Sequence, residues 1–169
     1  MVDIARQLRL NAVEMLRQPG TIREFDFEVA GDAVAVVHDA LDGTIALRLT
    51  LETLNDGIAV GGTIATPWHG VCRRCLAPLS GTDIVDVDEL YQKVVIDPDA
   101  YLIEDGQLDL VPLVRETALL QLDDERLCRP DCAGLCPECG IDRNHESCDC
   151  GTEIRDERWA ALDGLELDR

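Results

Sequence analysis

Positions 128–140 read "CRPDCAGLCPECG", which puts four cysteines, Cys128, Cys132, Cys136 and Cys139, within twelve positions. Cys148 and Cys150 follow in "CDC", and Cys72 and Cys75 stand far upstream in "CRRC". Thiols so grouped serve as disulfides, as a redox couple or as metal ligands. In "CPECG" the turn points successive backbone N–H groups at the first thiolate, and its glycine permits the positive φ that the turn needs. Both sulfurs then face one point, where a tetrahedral Zn²⁺ sits ~2.3 Å from each. Two sulfurs are half a site, and Cys148 and Cys150 complete it most economically. The remaining four, Cys72, Cys75, Cys128 and Cys132, then form a second possible site by long-range closure. The alternative is one zinc with ligands drawn from the six C-terminal cysteines, leaving "CRRC" as free thiols. Both arrangements stay open. His145 is a substitute ligand or a solvent-exposed loop histidine.

A metal in such a site is expected to be structural. Residues 126–152 have few core-forming side chains beyond Leu127, Leu135 and Ile141, so metal binding supplies folding energy there. All-thiolate sites are usually closed, whereas catalytic zinc keeps an open position. The chain has no H-E-x-x-H, GxGxxG, P-loop or G-x-S-x-G, and His38, His69 and His145 share no spacing. The expectation is no enzyme and no small-molecule substrate. The two arginines inside "CRRC" favour a thiolate, which speaks for redox chemistry. A thioredoxin-type site, however, needs a βαβ unit, which is not visible.

What positions these thiols must be a body of aliphatic residues. The 169-residue chain is 46% apolar but only 4% aromatic, enough for one core built from Val, Leu, Ile and Ala. No signal-peptide region is apparent, and the longest apolar runs, such as "AVAVV" at 33–37, fall far short of the ~20 residues of a membrane span. A cytoplasmic protein with reduced thiols and no membrane partner is expected. The net charge is −19, with fourteen Arg and the single Lys93. A chain so acidic repels phosphate unless it carries a local basic patch. Residues 81–125 hold thirteen Asp or Glu against two basic residues, either a solvated face or a docking surface for a basic partner.

The periodicity predicts an α+β fold: an antiparallel β-rich body, meander or partly open barrel, with a few short helices and a C-terminal Cys-rich, zinc-ribbon-like module. Residues 1–125 form the body and 126–169 the module, packed on it. Asn11 caps a short N-terminal helix that "PG" at 19–20 stops. "REFDFEVAGDAVAVV" reads as extended. Ile45, Leu47, Leu49 and Leu51 alternate, "NDG" at 55–57 turns, and "IAVGGTIAT" resumes, giving a hairpin over 44–66. The paired glycines in that second strand read as a bulge. "TPWHGVCRRCLAP" interrupts the strands, 82–95 resumes them, and 97–108 is an acidic loop. Asp109 caps an amphipathic helix to Leu122 with Leu110, Leu113, Val114, Thr117 and Leu120 on one face. Asp156 caps a last helix, "ERWAAL". No repeat is visible, and the two CxxC pairs are not expected to belong to a repeated unit.

The strings "GVCRRCLAPL", "DLVPLVRETALLQL", "LCRPDCAGLCPECGIDRN" and "DERWAALDGL" together resemble the YceD family of large ribosomal RNA subunit accumulation proteins. The resemblance runs from about Arg17 to the C-terminus. It implies a bacterial and plastid accessory factor of ribosome assembly, needed for normal levels of large-subunit (23S) ribosomal RNA. It carries over no catalytic residue.

On this reading the partners are precursor ribosomal RNA, a basic large-subunit ribosomal protein, or both. Candidate RNA contacts are Arg73, Arg74, Arg126, Arg129 and Arg143. The same arginines can instead neutralise thiolate charge. Trp68 can stack a base or belong to the core. Two alternatives stand beside it: a pure protein-binding adaptor and a redox-regulated, chaperone-like zinc protein.

Overall fold

A computed structural model describes residues 4–122, 125–151 and 158. The chain divides into two compact units. The first comprises Met1–Val71 and Pro78–Arg126, the second Cys72–Ala77 and Leu127–Arg169. The predicted helix after Asp156 falls outside the described residues. Among the described residues no helix is long and apolar enough to cross a membrane.

The first unit is built on a five-stranded sheet whose strands lie side by side in chain order. Strands β2 (Ile22–Ala30), β3 (Thr44–Thr53), β4 (Gly57–Val71) and β5 (Pro78–Gln92) form an antiparallel meander. The expected hairpin over 44–66 is present. Its period-two alternation buries Ile45, Leu47, Leu49 and Leu51 on β3 against Ile58, Val60 and Ile64 on β4. Four elements differ from expectation. Residues 31–34 of the predicted extended run form a 3-10 turn, which buries Val34. Strand β4 runs on through Thr66, Pro67 and Trp68 to Val71, because β5 pairs with it along its whole length. The two glycines, Gly61 and Gly62, make no bulge: their register with Thr50 and Leu49 is continuous. Gly62 has φ +134°, and a Cβ there would lie 2.1 Å from the Arg48 carbonyl oxygen. Close backbone approach, not an extra residue, demands the glycine.

The fourth difference concerns the acidic loop, which is half strand. β6 (Tyr101–Leu102) joins β5 in parallel, and β7 (Gln107–Asp109) pairs with β1 (Arg9–Asn11). Asp105 and Gly106 both have positive φ, 49° and 73°, the signature of a type I′ turn on an Asp-Gly pair. The Gly106 carbonyl accepts from Ala12 and Val13 at the start of α2 (Ala12–Met15). Asn11 caps that helix, its Oδ1 accepting from Glu14 N at 3.1 Å. A further turn, α1 (Ile4–Gln7), precedes β1.

Helix α3 (Val111–Leu122) starts where Asp109 Oδ1 accepts from Val111 N at 2.9 Å. Its buried face is Leu113, Val114, Ala118 and Leu122, continuing from Leu110. Leu120, expected on that face, is 75% exposed. The stripe follows the i, i+4, i+8 row from Leu110 and Val114 to Ala118, and Leu120 lies off it.

Candidate metal centre

The second unit brings all eight cysteines into two tetrads. Cys72, Cys75, Cys128 and Cys132 form one, and Cys136, Cys139, Cys148 and Cys150 the other. Within each, the four sulfurs lie within 4.8 Å of one another. The two-site arrangement is therefore the one the fold assembles, and the single ribbon with free "CRRC" thiols is not. His145 is in neither tetrad. It is exposed and sits 3.7 Å from Asp142.

Two turns with the same backbone pattern aim the sulfurs. In the loop joining β4 to β5, Cys72 N donates to Ala77 O at 2.8 Å and Leu76 N to Cys72 O at 2.9 Å. In the distal turn, Cys136 N donates to Ile141 O at 2.8 Å and Gly140 N to Cys136 O at 2.9 Å. The residue after the second cysteine is left-handed in both, Leu76 at φ 60° and Gly140 at φ 75°. No such kinship was expected of the two CxxC pairs, because the shared feature is a backbone ring and not a side-chain pattern.

The first tetrad is closed by long-range contacts. Cys72 Sγ stands 3.9 Å from Cys132 Sγ, and Cys75 Sγ 3.7 Å from Cys128 Sγ. A tetrahedron with ligand bonds of ~2.3 Å has sulfur–sulfur edges of ~3.8 Å. A disulfide would need ~2.05 Å. The cysteines are accordingly free thiols at metal-site spacing. Arg74 holds the distal loop in place: its Nη1 donates to Pro130 O at 3.3 Å and to Cys132 O at 3.0 Å, while its own carbonyl accepts from Leu135 N at 2.9 Å.

Sequence reasoning missed Asn144. It lies in the loop between Cys139 and Cys148, yet its Nδ2 donates to Cys132 Sγ at 3.4 Å. Its Oδ1 accepts from Ala133 N at 2.8 Å and from Arg129 Nη2 at 2.7 Å. Asp142 Oδ1 in turn accepts from Asn144 N at 2.9 Å and from its Nδ2 at 2.6 Å. A loop of the second tetrad thus orients a sulfur of the first. The only local signal was the D-x-N spacing of an Asx turn.

The electrostatics of the two tetrads run in parallel. The Cys72 thiol is held down to about 6, chiefly by the backbone amide of Cys128 and then by those of Cys75 and Arg74 against the pull of burial. The Cys136 thiol is also held down to about 6, by the Cys139 and Glu138 amides. Cys128 is pushed up to about 12, first by the neighbouring Cys132 thiol, and Cys150 to about 12, first by Cys139. Cys132 is lowered: the Asn144 amide and the Gly134 N–H outweigh its burial, the largest single influence. Like charges packed this closely cannot all ionise alone. A divalent cation at the centre removes that obstacle, so the donor set fits Zn²⁺.

The candidate nucleic-acid contacts are placed differently. Trp68, on β4, is half-buried and stacked under Arg126, whose guanidinium carbon is 3.7 Å from the ring centroid. Arg126 also pairs with Asp83 and donates to Gln121 O. Arg74 is committed to carbonyls as above. Arg129 bonds Asn144 and lies 3.4 Å from Asp131. Arg73 and Arg143 are exposed.

The profile of the family described as Large ribosomal RNA subunit accumulation protein YceD matches residues 60–166. That span begins in β4 and takes in both tetrads. The chain belongs to the YceD family. A protein of Mycobacterium tuberculosis, uncharacterized by name, is 30% identical over 172 aligned positions, covering 94% of this chain and 81% of its own. An uncharacterized protein of Mycobacterium leprae is 33% identical over 103 positions, covering 57% of this chain and 48% of its own. Large ribosomal RNA subunit accumulation protein YCED homolog 1 of the Arabidopsis thaliana chloroplast is 30% identical over 59 positions, 35% of this chain and 18% of its own. No solved structure matches this YceD chain.

Proposed function

We propose that this protein is a non-catalytic accessory factor of ribosome assembly in the cytoplasm, supporting accumulation of large-subunit ribosomal RNA, and that its cysteine unit holds two structural zinc ions. The observation that carries the reading is the YceD match over residues 60–166, which contains two complete four-cysteine sets. The name of the chloroplast relative supports the same role.

Within that role, a basic ribosomal protein is the favoured partner over naked RNA. The net charge of −19 opposes phosphate. Of the six candidate RNA contacts, Arg74, Arg126, Arg129 and Trp68 are engaged inside the protein. Two exposed arginines, Arg73 and Arg143, do not make a basic footprint.

The test has two arms. In cells lacking the protein, large-subunit ribosomal RNA should fall and be restored by the wild-type chain but not by Cys72→Ser. Purified protein should retain a basic large-subunit ribosomal protein, with precursor RNA alone giving no salt-sensitive shift. Normal ribosomal RNA levels without the protein would sink the assembly role. Tight binding of RNA alone would overturn the choice of partner.

A further inference from the structure

The first unit contains a cavity of about 610 Å³ with no cysteine in its lining. Its walls include Arg9 of β1, Tyr91 of β5, Tyr101 of β6, Glu104 and Asp105 of the type I′ turn, and Asp109 of β7. Parallel pairing sets Tyr91 opposite Tyr101, and the rings stack with centroids 4.9 Å apart and an interplanar angle of 15°.

The lining is rich in acceptors. Three carboxylates face one cation, Arg9, among the described residues that line the cavity. Arg9 Nε donates to Asp109 Oδ2 at 3.0 Å, so the wall already holds one guanidinium. Tyr91 is 1% exposed, and its hydroxyl has no partner. A buried polar atom left so is costly, and a donor-rich group that reached it from the cavity would relieve it. The Tyr101 hydroxyl donates to Glu116 at 2.9 Å, which brings a fourth carboxylate to the tyrosine pair. Burial first, and then the charges of Asp88, Glu116 and Asp99, raise the nearby Glu89 carboxyl.

We propose that this cavity receives an arginine side chain from a basic partner protein. Guanidinium offers five donors, no acceptor and a permanent charge, and its plane stacks on aromatic rings. Phosphate would meet like charge. The proposal deepens the assembly-factor reading and rests on it for where such a partner is met; the acceptor chemistry of the cavity stands by itself.

The zinc-loaded full chain is titrated with a blocked tri-arginine peptide, with its neutral citrulline counterpart and with a short single-stranded RNA, observing backbone amides by NMR. The arginine peptide is expected to shift Tyr101, Glu104, Gly106 and Gln107 saturably, and the other two probes to leave them unmoved. Glu104→Gln with Asp105→Asn should weaken binding about tenfold, the worth of one charge-assisted hydrogen bond. That double variant keeps the fold: both residues are exposed, and asparagine tolerates the φ of 49° at position 105. Equal binding of the citrulline peptide, shifts confined to other residues, or unchanged affinity in the double variant would overturn the proposal. The cavity then fails alone if ribosomal RNA still falls without the protein. Arginine binding with normal ribosomal RNA removes the assembly role and leaves the cavity.

Discussion

Leu76 and Gly140 occupy the same place in two turns of the same construction. Each follows the second cysteine of a CxxC pair, each has a left-handed backbone, and each donates its N–H to the carbonyl of the first cysteine at 2.9 Å. Glycine takes that conformation freely, whereas a leucine pays about 1–2 kcal/mol for it. Leu76 is 59% exposed, so little packing offsets the strain.

Leu76→Gly should therefore stabilise the zinc-loaded protein by about 0.5 kcal/mol, after the added freedom of the unfolded chain is subtracted. Gly140→Ala should cost about 1 kcal/mol from the backbone alone, since a Cβ there meets nothing within 4 Å. Thermal melts of the two variants, run side by side, should move in opposite directions.

Asn144 links the tetrads through its bond to Cys132 Sγ. Groups that orient a ligand typically contribute about 10–100-fold to metal affinity. Asn144→Ala should thus weaken the site of Cys72, Cys75, Cys128 and Cys132, although residue 144 lies in the loop of the other. Chelator competition on the variant should show this loss with the fold retained. Unchanged affinity at that site would mean the contact only shapes the loop.

The two sites should part with zinc in a set order. The Cys72 site has three buried sulfurs and one exposed, Cys128, whereas in the other Cys136 alone is buried, Cys148 and Cys150 are half-buried and Cys139 is exposed. A chelator should empty the Cys136 site first. Native mass measurement should find two zinc ions in the wild type and one in Cys136→Ser. Simultaneous release of both ions would contradict sites of unequal access.

The tyrosine pair makes stability pH-dependent at the alkaline end. Burial, then the Glu116 acceptor, pushes the Tyr101 phenol up to about 12, and burial raises Tyr91 as well. The folded state favours the neutral phenols. The Tyr101 contribution is complete below the ordinary tyrosine value of about 10 and is lost as pH rises through about 12. Tyr101→Phe should flatten the fall in stability across that window, as read from denaturant midpoints.

Much of this was legible in the chain. Alternation in Ile45–Leu51, the "NDG" turn, the Asn11 and Asp109 caps and the eight grouped thiols are local features, and local features act through φ/ψ preference and side-chain period. The Asp105-Gly106 turn was equally local. It was hidden because the strands it joins are only two and three residues long.

Closure decided the rest. Cys72 meets Cys132 across 60 positions, and Cys75 meets Cys128 across 53. Spacing offered this grouping beside a single-site alternative, and which sulfurs share a centre was decided by where the backbone returns. The parallel join of β5 to β6, which makes the tyrosine cavity, and the placing of Arg126 over Trp68 are of the same kind. The sequence by itself set the donor chemistry and the strand faces, because both are properties of neighbouring residues. Only the tertiary structure chose the partners, because that choice belongs to the packing of segments far apart in the chain.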